Sequence, residues 1–346
     1  MALPAPKLRE GEHCFGTLVA GGNILAMKRP LAALAVALLS SQLIACAAPV
    51  SATKCGRDAA PHPDIGGEIL FYCVDFAPRP GTGLYLLDVA TGQVRPIVGD
   101  HAWNTDPAWS PDGERIAYVS TKDGETAIYV MDLADGKVTR LTHGGGWNGN
   151  PTWSPDGEWI MFDSSRDGPS AGFRNLFAVR PDGTDLRRVT HGSDYRGQPS
   201  WAPDGKRVAF LLGRPHLAGN IFTMSPDGSD QRQLTHQEGD PDASADYARW
   251  SPDSSRIVVL VSEPNEKKDV RPNASLFVVS VDGTEMHRLD VGLGDGKPDW
   301  SPDGQWIAFK RVIGDAVDLF VMRPDGRDVV RLTLDGVEKD WPRWRP

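Results

Sequence analysis

A five-residue phrase recurs along this chain and fixes the kind of architecture it can form. It reads Trp109-Ser-Pro-Asp-Gly113, Trp153-Ser-Pro-Asp-Gly157, Trp201-Ala-Pro-Asp-Gly205, Trp250-Ser-Pro-Asp-Ser254 and Trp300-Ser-Pro-Asp-Gly304, and a shortened copy stands at Trp344-Arg-Pro346. Successive tryptophans are 44 to 50 residues apart. Self-similarity at that period marks a propeller blade or a solenoid unit, which must stack on copies of itself to bury its apolar faces.

Behind each copy the same order of events follows. A short apolar run comes first, as in Ile116-Ala-Tyr-Val119 or Val208-Ala-Phe-Leu-Leu212; a polar loop leads to a second run, as in Ile128-Tyr-Val-Met131 or Leu319-Phe-Val-Met322. A tight turn then opens a closing stretch such as Val138-Thr-Arg-Leu-Thr142. Runs of this length, rich in β-branched and aromatic residues and bounded by Gly, Pro, Asp and Asn, predict strands. In Ser-Pro-Asp-Gly the proline pre-sets φ and the glycine fits the last turn position. Asp182-Gly183, Asp227-Gly228, Asp282-Gly283 and Asp325-Gly326 are hairpin dipeptides between the last two strands of a unit. Each repeat therefore reads as a four-stranded antiparallel meander, a to d, with the tryptophan on strand a.

The count predicts an all-β, six-bladed propeller. Five blades are complete. The first has only strands b to d, at Ile69–Cys73, Leu84–Leu87 and Val94–Ile97, and Pro342-Arg-Trp344 is expected to supply its strand a. That closure joins two regions far apart in sequence within one blade and removes two exposed sheet edges.

The pattern Pro-x-Trp-Ser-Pro-Asp-Gly, then Ile-Ala-Phe, Ile-Tyr-Val-Met, Asp-Gly and Leu-Thr resembles the TolB-type β-propeller repeat over roughly residues 67–346. TolB itself carries an N-terminal α/β domain ahead of its propeller and works in the envelope with a lipoprotein partner. Residues 1–66 are too short for that domain, so the resemblance implies a stand-alone TolB-like propeller, expected to be monomeric.

The formal net charge of −9 argues against nucleic acid or an anionic membrane surface as partner. Met27-Lys-Arg-Pro30, the apolar run Leu31 to Leu39 and the small residues before Cys46 read as a secretory signal over 27–45. The ending Leu43-Ile-Ala-Cys46 resembles a bacterial lipobox, which implies cleavage before Cys46 and a lipid on its thiol. On this reading residues 1–26 are a long leader or a misassigned start, 46–66 a lipid-anchored tether, and the membrane is met through the anchor alone, in an exported, periplasm-facing protein. In an oxidising compartment Cys55 and Cys73 could pair and pin the tether to the first blade; the alternative is a buried free Cys73 with Cys55 mobile.

A meander places the uniform a–b and c–d turns at one face and the variable b–c loops and d–a connections at the other. Variable loops on a rigid scaffold are where binding sits, and three sets of residues point there. Trp103, Trp147 and Tyr195 each lie six positions before a motif tryptophan and suit a protein partner or a sugar ring; they could equally pack over their own blade edge. His143, His191 and His236 follow Leu/Val-Thr in successive blades, with His101 in the connection before. Some TolB-like lyases acting on pectin fragments use a His-bound divalent metal, which the resemblance extends to these histidines as an alternative to surface or turn-capping roles. Asp106, Asn150, Gln198, Asp246, Lys297 and Asp340 begin the strands next to the channel, as ligands for a cation or water, or as solvated lining. Gly168-Pro-Ser-Ala-Gly172 fits a hydrolase nucleophile elbow but falls between two strands, where that strand-to-helix turn cannot form.

These observations predict a non-catalytic envelope protein that binds another envelope protein or a cell-wall component, with no cofactor. The alternative is a metal-dependent carbohydrate-active enzyme, lyase-like, with its site at the channel mouth.

Overall fold

The computed structural model describes residues 55, 59–75, 81–144, 146–168, 172–213, 219–236, 244–263, 273–289, 296–314 and 316–346. The leader, the signal, Cys46 and most of the tether lie outside them.

Six four-stranded antiparallel sheets form the described structure, each a meander in sequence order except the first. Strands a are Lys339–Trp344 (blade 1), Asn104–Trp109 (blade 2), Asn148–Trp153 (blade 3), Tyr195–Trp201 (blade 4), Ser244–Trp250 (blade 5) and Gly296–Trp300 (blade 6). Blade 1 takes its strands b to d from Glu68–Asp75, Gly81–Asp88 and Val94–Val98. Its strand a pairs antiparallel with strand b, Ile69 opposite Trp344 and Cys73 opposite Lys339, so the ring closes as the repeat count predicts.

Strands b and c carry the core. Tyr118 faces Tyr129, Phe162 faces Phe177, Phe210 faces Phe222, Phe309 faces Phe320 and Phe71 faces Tyr85 across neighbouring strands, with ring centroids 5.7 to 6.1 Å apart. Aromatic cross-strand pairs of this kind stabilise a sheet beyond their area burial. Only blade 5 departs, with Val259 opposite Phe277.

The motif tryptophans join blades. Trp250 Nε1 donates to Ser200 O of blade 4 at 3.0 Å, and Trp109 Nε1 to Arg343 O of blade 1 at 3.2 Å. Arg115, Arg207 and Arg256 each lay a guanidinium over the tryptophan of the following blade, 4.7 to 5.3 Å from its ring centre. In the four turns where serine follows the tryptophan, its hydroxyl fixes the turn, as where Ser251 Oγ accepts the Arg256 N–H at 2.9 Å and Ser251 O the Ser254 N–H at 2.9 Å. Ser254, which replaces the motif glycine, adopts φ 59° and accepts the Asp204 N–H of blade 4 at 3.1 Å.

Ahead of blade 1, Ala60 N–H donates to Leu332 O in blade 6, and a disulfide joins Cys55 to Cys73, with Cα atoms 6.2 Å apart. The pairing pins the incoming chain to strand b.

Candidate binding site at the channel mouth

Each strand a carries a β-bulge at the same place. The residue three before the motif tryptophan turns left-handed there: Asp106, Asn150, Gln198, Tyr247, Lys297 and Trp341 have φ between 49° and 60°. Four of these are the channel residues expected from sequence. In blades 5 and 1 the register is one residue off: Tyr247 and Trp341 occupy the slot, and Asp246 and Asp340 precede it. Counting back three from every tryptophan would have found both aromatics. Left-handed φ is uncommon for bulky side chains and persists only where the surroundings hold it. Part of that hold is visible. Asp106 Oδ2 accepts the Asn150 N–H at 3.1 Å, and Gln198 Oε1 accepts the Tyr247 N–H at 2.8 Å, each reaching to the next blade.

The d–a connections are tied to the start of strand c of the preceding blade. Trp103 bridges to Thr82 and Tyr195 to Arg174. Asn148 Nδ2 donates to Thr126 O at 3.0 Å, and Arg196 N–H donates to Arg174 O at 3.0 Å. Thr82 and Thr126 each stand 22 residues before their asparagine partners. Arg174 holds that place ahead of Arg196. The spacing would have singled out Arg174 as a guanidinium set where the other two blades have a hydroxyl.

What the aromatic rings do next depends on the strand residue two positions on. A Cβ at Gly149 would overlap the Trp147 ring, and one at Gly197 would overlap that of Tyr195. Both rings therefore fold down onto a bare stretch of strand a. In blade 2 that position is Thr105, and Trp103 stands out, 46% exposed.

The result is a cleft of about 330 Å3 at the mouth, lined by Trp103, Trp147, Tyr195, Asp106, Asn150 and Gln198 of the expected set. Tyr247, Trp341, Arg174, Thr105, Thr121, Thr126 and Val119 complete the lining. Arg174 lies 3.4 Å from the Trp147 ring centre and 5.1 Å from that of Tyr195. Its Nη1 donates to Asp163 Oδ2 at 3.1 Å, and Asp163 Oδ1 accepts Asn150 Nδ2 at 2.9 Å. Asp163 is fully buried. Burial pushes its carboxyl up to about 6, against the pull of Arg174 and Asn150.

Opposite, on blades 6 and 1, the channel is filled by ions and rings. Lys297 Nζ donates to Asp340 Oδ2 at 2.8 Å and Lys310 Nζ to the same oxygen at 2.6 Å, with Tyr72 O–H at 3.3 Å. Burial raises the Asp340 carboxyl, but the two ammoniums outweigh it and hold the group below its ordinary value. Burial also pushes the Lys297 ammonium down. Tyr247 packs edge-on against Trp341 at 5.5 Å. Asp246 does not line the cleft and pairs with no cation among the described residues; burial raises its carboxyl, and Ser244 Oγ donates to it at 3.0 Å.

His101, His143, His191 and His236 are all exposed, one in each of four successive connections. Among the described residues no three His, Cys, Asp or Glu side chains form a group that could hold a metal ion. A larger hollow of about 930 Å3 lies on the turn side between blades 5 and 6. There Arg323 and Arg327 pair with Asp328 and Asp325 as surface ion pairs, and its lining includes His287 but no Trp, Tyr or Phe.

Comparison with known proteins matches residues 66–246 to the TolB beta propeller domain. The chain belongs to this family. TolB from Acinetobacter baumannii superposes with a TM-score of 0.70 at 24% identity, over 81% of this chain and 67% of that one. A putative TolB from Agrobacterium tumefaciens gives 0.58 at 21%, over 82% of this chain and all of the other. An oligogalacturonate lyase in complex with manganese gives 0.53 at 18%, over 80% and 76%. At these identities the likeness is one of fold. No curated protein sequence matches the chain. This TolB-family propeller thus combines the family's six blades with an aromatic cleft on one side of its channel mouth and an ion cluster on the other.

Proposed function

We propose that this TolB-family propeller is an exported binding protein of the bacterial envelope, without catalytic activity, that holds a segment of a protein partner at the channel mouth. The observation that carries the reading is convergence. Trp103, Trp147, Tyr195, Tyr247 and Trp341 come from five different blade boundaries and line one cleft, with amide, hydroxyl and guanidinium groups between them. Amphipathic rings with polar tips are what partner surfaces use as anchors, and Trp103 offers its ring to solvent. The signal-like segment at 27–45 and the lipobox-like ending at Cys46 support export and anchoring.

The test is a photo-crosslinking amino acid placed at position 103 and, as control, at Asp227 on the turn face, in cells that express the chain. Adducts at 103 that are absent at 227, and that weaken when Trp147 is changed to Ala, are the expected result. Equal adducts from both faces, or none from 103, would overturn the reading. The alternative of a metal-dependent carbohydrate-active enzyme has its own measurement in elemental mass spectrometry. One bound Mn, Zn or Ca per chain, lost with His143→Ala and His191→Ala, would favour it.

A further inference from the structure

The polar groups that line the mouth cleft are not all used within the fold. Arg174 Nη1 serves both the Asp163 carboxylate at 3.1 Å and the Tyr195 hydroxyl at 3.3 Å. The other edge of its planar fork, Nε and Nη2, donates to no partner among the described residues, and Nε is buried. A buried donor left unmet is costly, and an acceptor brought by a ligand relieves that cost.

Two amides in the same lining are oriented by their own bonds. Asn150 turns its Nδ2 to Asp163 at 2.9 Å, which leaves Oδ1 as an acceptor. Gln198 turns its Oε1 to the Tyr247 N–H at 2.8 Å, which leaves Nε2 as a donor. Neither leftover atom has a hydrogen-bond partner among the described residues. With Arg174 they give a space of about 330 Å3 a guanidinium edge, an amide donor and an amide acceptor.

Charge narrows what fits. Asp163 already answers the charge of Arg174, and Asp106 adds a second carboxylate to the lining. The charge of Asp106 reaches Asp163, whose carboxyl it helps to raise. A further anion would meet that field. An uncharged group with one oxygen and an N–H can satisfy the open atoms without adding charge.

We infer that the segment held at the mouth presents a carboxamide, the side chain of Asn or Gln, with its oxygen on the open edge of Arg174 and its N–H on Asn150 Oδ1. A neighbouring ring or aliphatic group rests on the exposed Trp103. This assignment rests on the reading of the mouth as a protein-binding cleft.

The probe is para-bromophenylacetamide, compared on the intact chain with para-bromophenylacetate, which has the same shape and a negative charge. Titrations followed by the indole N–H signals of Trp103 and Trp147 are expected to give the amide a Kd about tenfold lower at neutral pH. R174K keeps a cation for Asp163 but loses the planar edge, and is expected to weaken the amide by a similar factor. Crystals soaked with the amide are expected to show an anomalous bromine peak in the cleft and the amide oxygen on Arg174. A carboxylate that binds as well as the amide overturns the inference, as does the absence of bromine from the cleft. N-acetylglucosamine bound on Arg174 more tightly than the aryl amide also overturns it, since the open atoms would then serve a sugar. The wild-type comparison decides the matter even if R174K fails to fold. Crosslinking from position 103 is read separately: no adducts there removes the partner reading itself, whereas adducts with no preference for the amide remove the carboxamide alone.

Discussion

The ammonium of Lys297 stands 3.6 Å from the centre of the Trp341 ring and donates to Asp340 at 2.8 Å, so one buried cation ties blade 6 to the strand that closes blade 1. Lys310 shares the same carboxylate. Removing the shared partner is therefore worse than removing one of the two cations. Asp340→Asn removes the carboxylate that both ammoniums share, leaving Lys297 only the more distant charge of Asp106, and is expected to cost about 3–5 kcal/mol, the range for breaking a buried pair. Lys297→Met leaves Asp340 with Lys310 and is expected to cost less than half of that. Urea denaturation of the two variants checks the order, and the reverse order would sink the account.

Asp163 should titrate near pH 6, within reach of ordinary buffers. Its pKa is raised in the fold, so the protonated form is the favoured one. The group's contribution to stability is then fullest below about pH 4 and is lost as pH rises through about 6, a change on the order of 3 kcal/mol. Asp163→Asn is expected to remove this slope from the stability profile. Carboxyl 13C NMR that placed the Asp163 midpoint below 4 would contradict the reading.

Gly149 makes room for Trp147. A side chain there collides with the ring, so Gly149→Val is expected to expel Trp147 from the cleft and raise its exposure toward that of Trp103. Loss of the guanidinium stacking at 3.4 Å should accompany it, at a cost of about 1–2 kcal/mol. Tryptophan fluorescence and acrylamide quenching would report the change; an unshifted spectrum would mean the ring is held elsewhere.

Trp103 stands free of such packing. Trp103→Ala is expected to change stability by less than about 0.5 kcal/mol while weakening crosslinking from a neighbouring position such as Thr121. If denaturation midpoints fall sharply instead, the ring is part of the fold and not an anchor for a partner.

Reduction of Cys55–Cys73 opens a loop spanning 18 residues. In the chain-entropy view a loop of this size contributes roughly 3 kcal/mol, so Cys73→Ser should lower the unfolding midpoint clearly in non-reducing conditions and make it insensitive to dithiothreitol.

Much of this architecture could be read from the residues. The Trp-Ser-Pro-Asp-Gly copies specify strand, turn and strand by local chemistry, which is why blade number, strand order and ring closure followed from counting. The mouth was half legible. Trp103, Trp147 and Tyr195 announce themselves by their shared offset, but the split between exposed and packed rings hangs on Thr105 against Gly149 and Gly197, a contact two residues away. Tyr247 and Trp341 were hidden because Asp246 and Asp340, their neighbours, look like better channel residues than aromatics do. The left-handed turn that decides which neighbour faces inward leaves its mark only in the distance to the tryptophan. Ion clusters such as Lys297, Lys310 and Asp340 join blades through three-dimensional proximity, and nothing in a linear pattern records it.

The pairing of residues 339–344 with 68–75 has a consequence for how the protein is made. Tyr72 and Asp340 meet across 268 residues, so a chain that emerges from its N-terminal side must keep blade 1 open-edged until residues 339–344 have been synthesised. Such distant pairing is slow to form. Every shorter chain is an arc with two raw sheet edges, open to proteases and to pairing with other chains. A chain that lacks the closing strand therefore differs from the closed ring by its exposed edges. Limited proteolysis of a chain stopped at Glu338 should cut blade 1 far faster than the intact protein.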